Sequence, residues 1–250
     1  MTGHDDGGPG PGTGPRLGAG AGLRLVLGSA SPGRAEVLTR ARVPFDVVVS
    51  AVDEDAVGAT RPDASPAQLA GLLAEAKGRD VAARVAAAGV DAPTLVLGCD
   101  SVFELDGVAY GKPYEPEVAV QRWLAQAGRE GLLHTGHWLG LVLPGDAPAQ
   151  PPGREAGREA GREAELRGVV TSAVRFAAVT EDEIRAYVAT GEPLHCAGAF
   201  TIDGAGAALL DGVEGDPNAV IGLSVGWLRK ACTALGTDFT ALWESSNSDA

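Results

Sequence analysis

Apolar positions fall into short blocks whose period changes along the chain. Leu23–Gly28 reads as a buried strand around the apolar stretch Leu25–Leu27, and Ser31 then opens a helix with Pro32 at its first position, where a missing N–H costs nothing. Val37, Leu38 and Ala41 give that helix an inward face, and Phe45–Ser50 reads as a second strand. Ser65-Pro66 repeats the cap-and-proline device before a long helix with Leu69, Leu72, Leu73, Ala76, Val81 and Val85 at helical spacing, weakened near its middle by Gly78. Leu95–Cys99 is a strand that runs straight into Asp100, and Val102–Leu105 and Val108–Tyr110 flank Asp106-Gly107, a two-residue hairpin signal.

Glu117–Ala127 is a further helix, and Leu139–Leu143 and Val169–Phe176 are two more strands. Thr180 and Glu183 form a capping box, Ala199–Ile202 reads as a strand, and Leu223–Leu235 as a closing helix. Strands alternating with helices, plus a hairpin, predict an α/β fold: a mixed, twisted sheet flanked by helices with a central cleft.

Composition adjusts this picture at three places. Residues 1–22 are dominated by Gly and Pro and read as a disordered leader, with no apolar core of a signal peptide. Residues 146–167 read as a charged insert in which Gly-Arg-Glu-Ala recurs at Gly153, Gly157 and Gly161, each arginine offset by a glutamate. Residues 245–250 read as a frayed tail, which leaves 23–244 as a single folded domain. The 250-residue chain carries a formal charge of −13 and no basic block, which argues against nucleic-acid binding as its main work. No apolar run is long enough to span a membrane, and Cys99, Cys196 and Cys232 make neither a disulfide framework nor a zinc spacing.

Five segments carry polar groups where chemistry could be done. In Gly28-Ser29-Ala30-Ser31-Pro32-Gly33-Arg34 a strand delivers hydroxyls, free N–H groups and an arginine to a helix start, which suits a phosphate; a plain capped helix is the bland alternative. Asp100 follows an apolar strand, where a carboxylate can hold a metal, activate water, or merely cap a turn. Lys112, between Gly111 and Pro113, is an exposed turn lysine or a phosphate ligand. The chain has only Lys77, Lys112 and Lys230 against a background of arginine, so the type itself is notable. Asp53-Glu54-Asp55 is a solvated loop or part of a Mg²⁺ site. Finally, Gly191–Gly204 is glycine-dense and reaches the carboxylate of Asp203; glycine lets backbone approach a flat ligand closely. No histidine has metal-ligand spacing, and no Cys or Ser lies in a nucleophile elbow, which disfavours covalent catalysis.

Taken in order, LGSASPGRAEVL (27–38), VDED (52–55), AEAKGRDVA (74–82), GCDSV (98–102), GKP (111–113), HTG (134–136), TEDEIRAYVATGEP (180–193), AGAFTIDGAG (197–206) and NAVIGL (218–223) resemble the Maf family of nucleoside triphosphate pyrophosphatases. The resemblance implies a Maf/inosine triphosphatase-like fold and hydrolysis of the α–β phosphoanhydride to nucleoside monophosphate and pyrophosphate, as in nucleotide-pool cleansing. It further implies a divalent cation, Mg²⁺ or else Mn²⁺, a cytoplasmic setting and a homodimer. By position it makes Asp100 the general base and a metal ligand, Glu54 a metal ligand, and Ser29, Ser31, Arg34, Lys77, Lys112 and Asp203 substrate ligands. Three positions depart from the family pattern. Gly33 stands where an arginine is usual, or a tryptophan in the 7-methyl-GTP type; Ser101 stands for threonine and Asp203 for glutamine of the dTTP/UTP type. The competing readings are a non-catalytic nucleotide-binding regulator linked to cell division, and a phosphatase that removes the terminal phosphate.

Overall fold

A computed structural model describes residues 22–145 and 165–244. The expectations for the leader, for residues 146–164 of the insert and for the tail lie outside the described residues. Seven strands form one sheet in the order β2-β1-β3-β5-β6-β7, with β4 paired to β3. They are β1 (Arg24–Leu27), β2 (Asp46–Val47), β3 (Thr94–Leu105), β4 (Val108–Tyr110), β5 (Glu130–Val142), β6 (Glu165–Phe176) and β7 (Leu210–Glu214). The β1 pairings with β2 and β3 are parallel and the others antiparallel, so the sheet is mixed as expected. The helices are α1 (Pro32–Arg40), α2 (Glu54–Ala59), α3 (Pro66–Ala88), α4 (Pro116–Gln126), α5 (Glu181–Ala189), α6 (Pro217–Ile221), α7 (Val225–Ala234) and α8 (Ala241–Glu244).

Strand alternation builds three cores. Leu25, Leu27, Leu95, Leu97, Cys99 and Leu139 face α1 and α7, meeting Val37, Leu38, Leu228 and Cys232. Val26, Val96 and Trp138 face the opposite way, against Val81 of α3. Farther along the long strands, Phe103, Leu133, Val174 and Phe176 join Trp123 of α4 and Ile184 of α5. Fully burying each such side chain contributes about 1.5–3 kcal/mol. The first and third cores are separated along β3 by residues 100–102.

Several expected elements differ, each for a visible reason. Gly78 does not interrupt α3, which runs unbroken for 23 residues; its missing Cβ leaves room for the Trp138 indole. The second strand shortens to Asp46–Val47, an edge strand whose one partner, β1, stops at Leu27. β5 begins at Glu130, not Leu139, and pairs with β3 from Leu132 to Val142. Its glycines are points of close approach: Gly131 lies under Phe103 and Gly136 under the α3 backbone.

Ala199–Ile202 is not a strand. Gly198 (φ 72°) and Ala199 (φ 61°) are left-handed, and their carbonyls accept from Gln126 Nε2 and Trp123 Nε1 instead of a strand neighbour. Short 3₁₀ turns at Glu192–His195, Ala197–Ala199 and Ala205–Leu209 replace it. The acidic loop is helix α2, capped by Asp53, and the closing helix begins only at Val225, after α6. The insert's expected end at 167 also moves: 165–167 belong to β6, where Glu165 binds Arg79 and Arg167 binds Glu75.

Candidate active site

The sheet has an opening beside β3. On the side of β3 opposite β5, Thr94–Leu97 pair with β1 and Phe103–Leu105 with β4, so residues 98–102 have no strand partner there among the described residues. The chain leaves β1 at this point, with Gly28 N–H donating to the Leu97 carbonyl, and turns through Ser29–Ser31 into α1. Asp100 therefore lies inside a twelve-residue strand and not at its end, and the opening comes from neighbours that stop short. Alternation along β3 sends Asp100 and Ser101 to opposite faces of the sheet, Asp100 toward α3 and Ser101 toward α1 and α6.

On the α3 face, Lys77 Nζ donates to Asp100 Oδ1 at 2.5 Å and lies 2.7 Å from Glu54 Oε1. Asp53 accepts from Ala56 N–H and so starts α2 with Glu54 in its first turn. Of the three clustered acids, Glu54 is the one that reaches the lysine. α3 comes close enough for Lys77 to reach Asp100 because Gly98 and Gly136 carry no Cβ; one at either position would overlap the α3 backbone. Asp100 is buried, which pushes its carboxyl above the usual aspartate range, while the Lys77 and Arg34 cations pull it back.

On the other face, the Arg34 guanidinium is held three ways. Nε donates to the Gly222 carbonyl at 2.9 Å, Nη1 to Ser29 Oγ at 2.9 Å and Nη2 to Ser101 Oγ at 3.3 Å. Ser101 Oγ is 3.0 Å from Thr135 Oγ1, whose hydroxyl donates to the Ala219 carbonyl at 2.7 Å. Gly222 (φ +129°) holds a backbone conformation that other residues rarely adopt, and a Cβ there would also press on Arg34 Nε at 3.0 Å. The Ser31 backbone N–H donates to Ser29 Oγ, but the Ser31 hydroxyl makes no capping bond. Beneath this layer, His137 is buried, stacks on Trp227, and accepts from Ser224 N–H through Nε2; burial drives its pKa down to about 3, so it is neutral.

The structure thus brings Ser29, Arg34, Glu54, Lys77 and Asp100 together. Lys112 and Asp203 share no hydrogen bond or ion pair with these five, and the neighbouring Tyr110 and Ile202 pack against the third core. Lys112 is exposed, and its charge acts on the Cys196 thiol, as do those of Asp203 and Glu192. Asp203 accepts from the Thr201 hydroxyl and lies 3.9 Å from Arg40 at the end of α1. Glu192 fixes the adjoining loop by accepting from Tyr187 Oη and from the N–H groups of Ala205 and Gly206. Residue-by-residue reading passed over the Thr135 hydroxyl, the Gly222 carbonyl and Glu192. The signal for Thr135 was a polar side chain within a fully buried strand.

The arrangement suits a substrate rich in negative charge. A fixed guanidinium and a hydroxyl on the α1 side stand across the opening from a buried carboxylate that is paired with an ammonium on the α3 side. Glu54 and Asp100 are the oxygen donors a hard cation takes, and they already converge on one positive charge. Among the described residues no group of three or more His, Cys, Asp or Glu could hold a metal, so such an ion would need water and substrate oxygens to complete its shell.

The family model described as Maf-like protein matches residues 24–235. The chain belongs to the Maf family. Its relatives include proteins named nucleoside triphosphate pyrophosphatase. The one from Streptomyces coelicolor is 46% identical over 220 residues, covering 88% of this chain and 94% of the relative. The one from Salinispora tropica is 46% identical over 226 residues, covering 90% of each, and the one from Mycobacterium ulcerans 43% identical, covering 89% of this chain and 98% of the relative. The open mixed sheet flanked by helices is the Maf fold, and the matched span covers both the α3 and the α1 side of the site.

Proposed function

We propose that this Maf protein hydrolyses nucleoside triphosphates between the α- and β-phosphates, releasing nucleoside monophosphate and pyrophosphate. The observation that carries the reading is the buried Asp100 carboxylate, braced by Lys77 and set opposite the fixed Arg34 guanidinium across the opening in the sheet. A triphosphate bears about four negative charges, so cations that are already oriented lose little freedom on binding it. Arg34 and the Ser29 hydroxyl hold the phosphate chain from the α1 side, with the loop N–H groups around Ser31 close by. Lys77 approaches from α3, and Lys112 from the far side.

Asp100 accepts the proton of the attacking water. A carboxylate kept above its usual pKa by burial is a stronger base than an exposed aspartate, and Lys77 keeps it ionised and aimed. Glu54 and Asp100 would hold Mg²⁺, or Mn²⁺, which when bound neutralises phosphate charge. A cytoplasmic homodimer is the setting in which we place the activity; no helix among the described residues is long and apolar enough to cross a membrane.

One observation favours the nucleotide-binding regulator. Gly33 stands where the family carries arginine, and a Cβ there would lie 3.0 Å from Ile221 Cγ2, so a side chain at this position would need Ile221 to give way. Against it, a site without turnover has no use for a buried carboxylate locked between two cations. Product analysis on a panel of canonical and modified nucleoside triphosphates with Mg²⁺ separates the readings. Monophosphate plus pyrophosphate is expected; diphosphate plus phosphate would mean a terminal phosphatase, and binding without turnover a regulator.

A further inference from the structure

The hydroxyl chain behind Arg34 has only one arrangement of its protons. Thr135 is fully buried, and its single hydroxyl proton goes to the Ala219 carbonyl, which can only accept. That carbonyl is available because α6 stops at Ile221: the Gly222 and Leu223 N–H groups both turn back to Asn218, leaving Ala219 without its helical partner. Thr135 Oγ1 must therefore accept from Ser101, and the Ser101 proton points at Thr135. The outward lone pairs of Ser101 are left to accept from Arg34 Nη2. The chain runs one way, from guanidinium to Ser101, to Thr135, to the end of α6, and α6 also supports Arg34 directly through the Gly222 carbonyl.

We propose that Thr135 is a positioning residue for substrate binding: it sets the direction of the Ser101 hydroxyl and thereby fixes Arg34 in the orientation that takes the triphosphate. It touches neither the reacting atoms nor solvent, and acts through two intervening groups. Such chains polarise one another, so losing the inner acceptor is felt at the outer end. With valine at 135, of nearly the same shape, the Ser101 proton loses its acceptor. The Ser101 hydroxyl then turns, its proton competes with Nη2 for the same space, and the guanidinium loses one of its three anchors. The inference rests on the reading of Arg34 as a phosphate ligand.

The test is a mutant cycle read by KM and kcat on the best triphosphate of the panel. Thr135→Val should raise KM about tenfold, the scale of one charge-assisted hydrogen bond, with kcat within about twofold, because Arg34 holds ground state and transition state alike. Thr135→Ser, which keeps the hydroxyl, should restore KM. In an Arg34→Lys background, Thr135→Val should add nothing further, since the group it orients is gone. Ser101→Ala should reproduce the KM shift without disturbing the core and serves if Thr135→Val fails to fold. An unchanged KM in Thr135→Val, equal loss in Thr135→Ser, or a full additional loss in the Arg34→Lys background would overturn the proposal. If the wild type turns over no triphosphate, the enzymatic reading falls, and the same cycle is read by affinity for inorganic pyrophosphate. There, non-additivity of Thr135→Val with Arg34→Lys supports the positioning role, and additivity overturns it.

Discussion

The Nζ of Lys77 lies 2.5 Å from Oδ1 of Asp100, one helix-borne cation against one strand-borne carboxylate, both largely out of solvent. The same ammonium takes Glu54 Oε1 at 2.7 Å, so a single positive charge offsets two negative ones. Breaking such a pair from one side is costly, because the remaining charge stays buried and unpaired.

Lys77→Met removes the strongest charge that opposes the effect of burial on Asp100. Its carboxyl is already above the ordinary aspartate range and should rise further, so that the protonated, inactive form persists to higher pH. The expected outcome is turnover reduced at least about a hundredfold, and an acid limb of the pH–rate profile moved upward. An acid limb in the wild-type place would show that Lys77 does not govern Asp100.

Gly78→Ala sets two effects against each other. Alanine is the better helix former by about 1 kcal/mol in the middle of α3, but its Cβ would overlap the Trp138 indole, and overpacking of this kind costs about 1–3 kcal/mol. Destabilisation should win and appear as a lower melting temperature, relieved when Trp138→Leu is combined with it. A more stable Gly78→Ala protein would mean that Trp138 moves aside freely.

Gly78 also shows where the sequence was legible and where it was not. Local signals survived folding: the Ser65-Pro66 start of α3, the capping box at Thr180–Glu183 and the Asp106-Gly107 turn all form as their residues dictate. Glycines were misleading, because a glycine that breaks a helix or strand and one that admits a neighbour look the same in one dimension. The first meaning put a weak point in α3; the second is what Trp138 requires there, and what Phe103 and the α3 backbone require of the glycines in β5. Ala199–Ile202 failed for a related reason: Trp123 and Gln126, more than seventy residues away in sequence, take the carbonyls that a strand would have used.

At the site, Asp100, Lys77, Glu54, Ser29 and Arg34 could be nominated from ordered motifs, and the fold gathers them. What no spacing disclosed is that neighbours on one strand, Asp100 and Ser101, serve opposite faces of the sheet. The anchors of Arg34 at Ser101 of β3 and at Gly222, just past α6, were equally invisible, since they meet it only in the folded chain.

His137 links the site to acid stability. Its pKa is about 3 in the fold against about 6.5 for a free imidazole, because burial disfavours the charged form. A depressed value means that the contribution is fully present above about pH 6.5 and is lost as pH falls from there toward 3, since the unfolded chain takes up a proton that the fold does not. Stability should fall by up to about 1.4 kcal/mol per pH unit across that window on this account. His137→Gln should show a flatter acid limb in denaturant titrations at a series of pH values, whereas equal slopes for the two proteins would contradict the assignment.

The account turns on Asp100 as the group that takes the proton from water, and the direct test is Asp100→Asn, assayed for release of nucleoside monophosphate and pyrophosphate and for nucleotide affinity in the same preparation. The predicted result is turnover lowered by at least about a thousandfold, with triphosphate binding retained within about tenfold, since Arg34 and Ser29 are untouched. Turnover near the wild-type rate would contradict the central claim, and loss of binding in step with turnover would make Asp100 a substrate or metal anchor instead of the base.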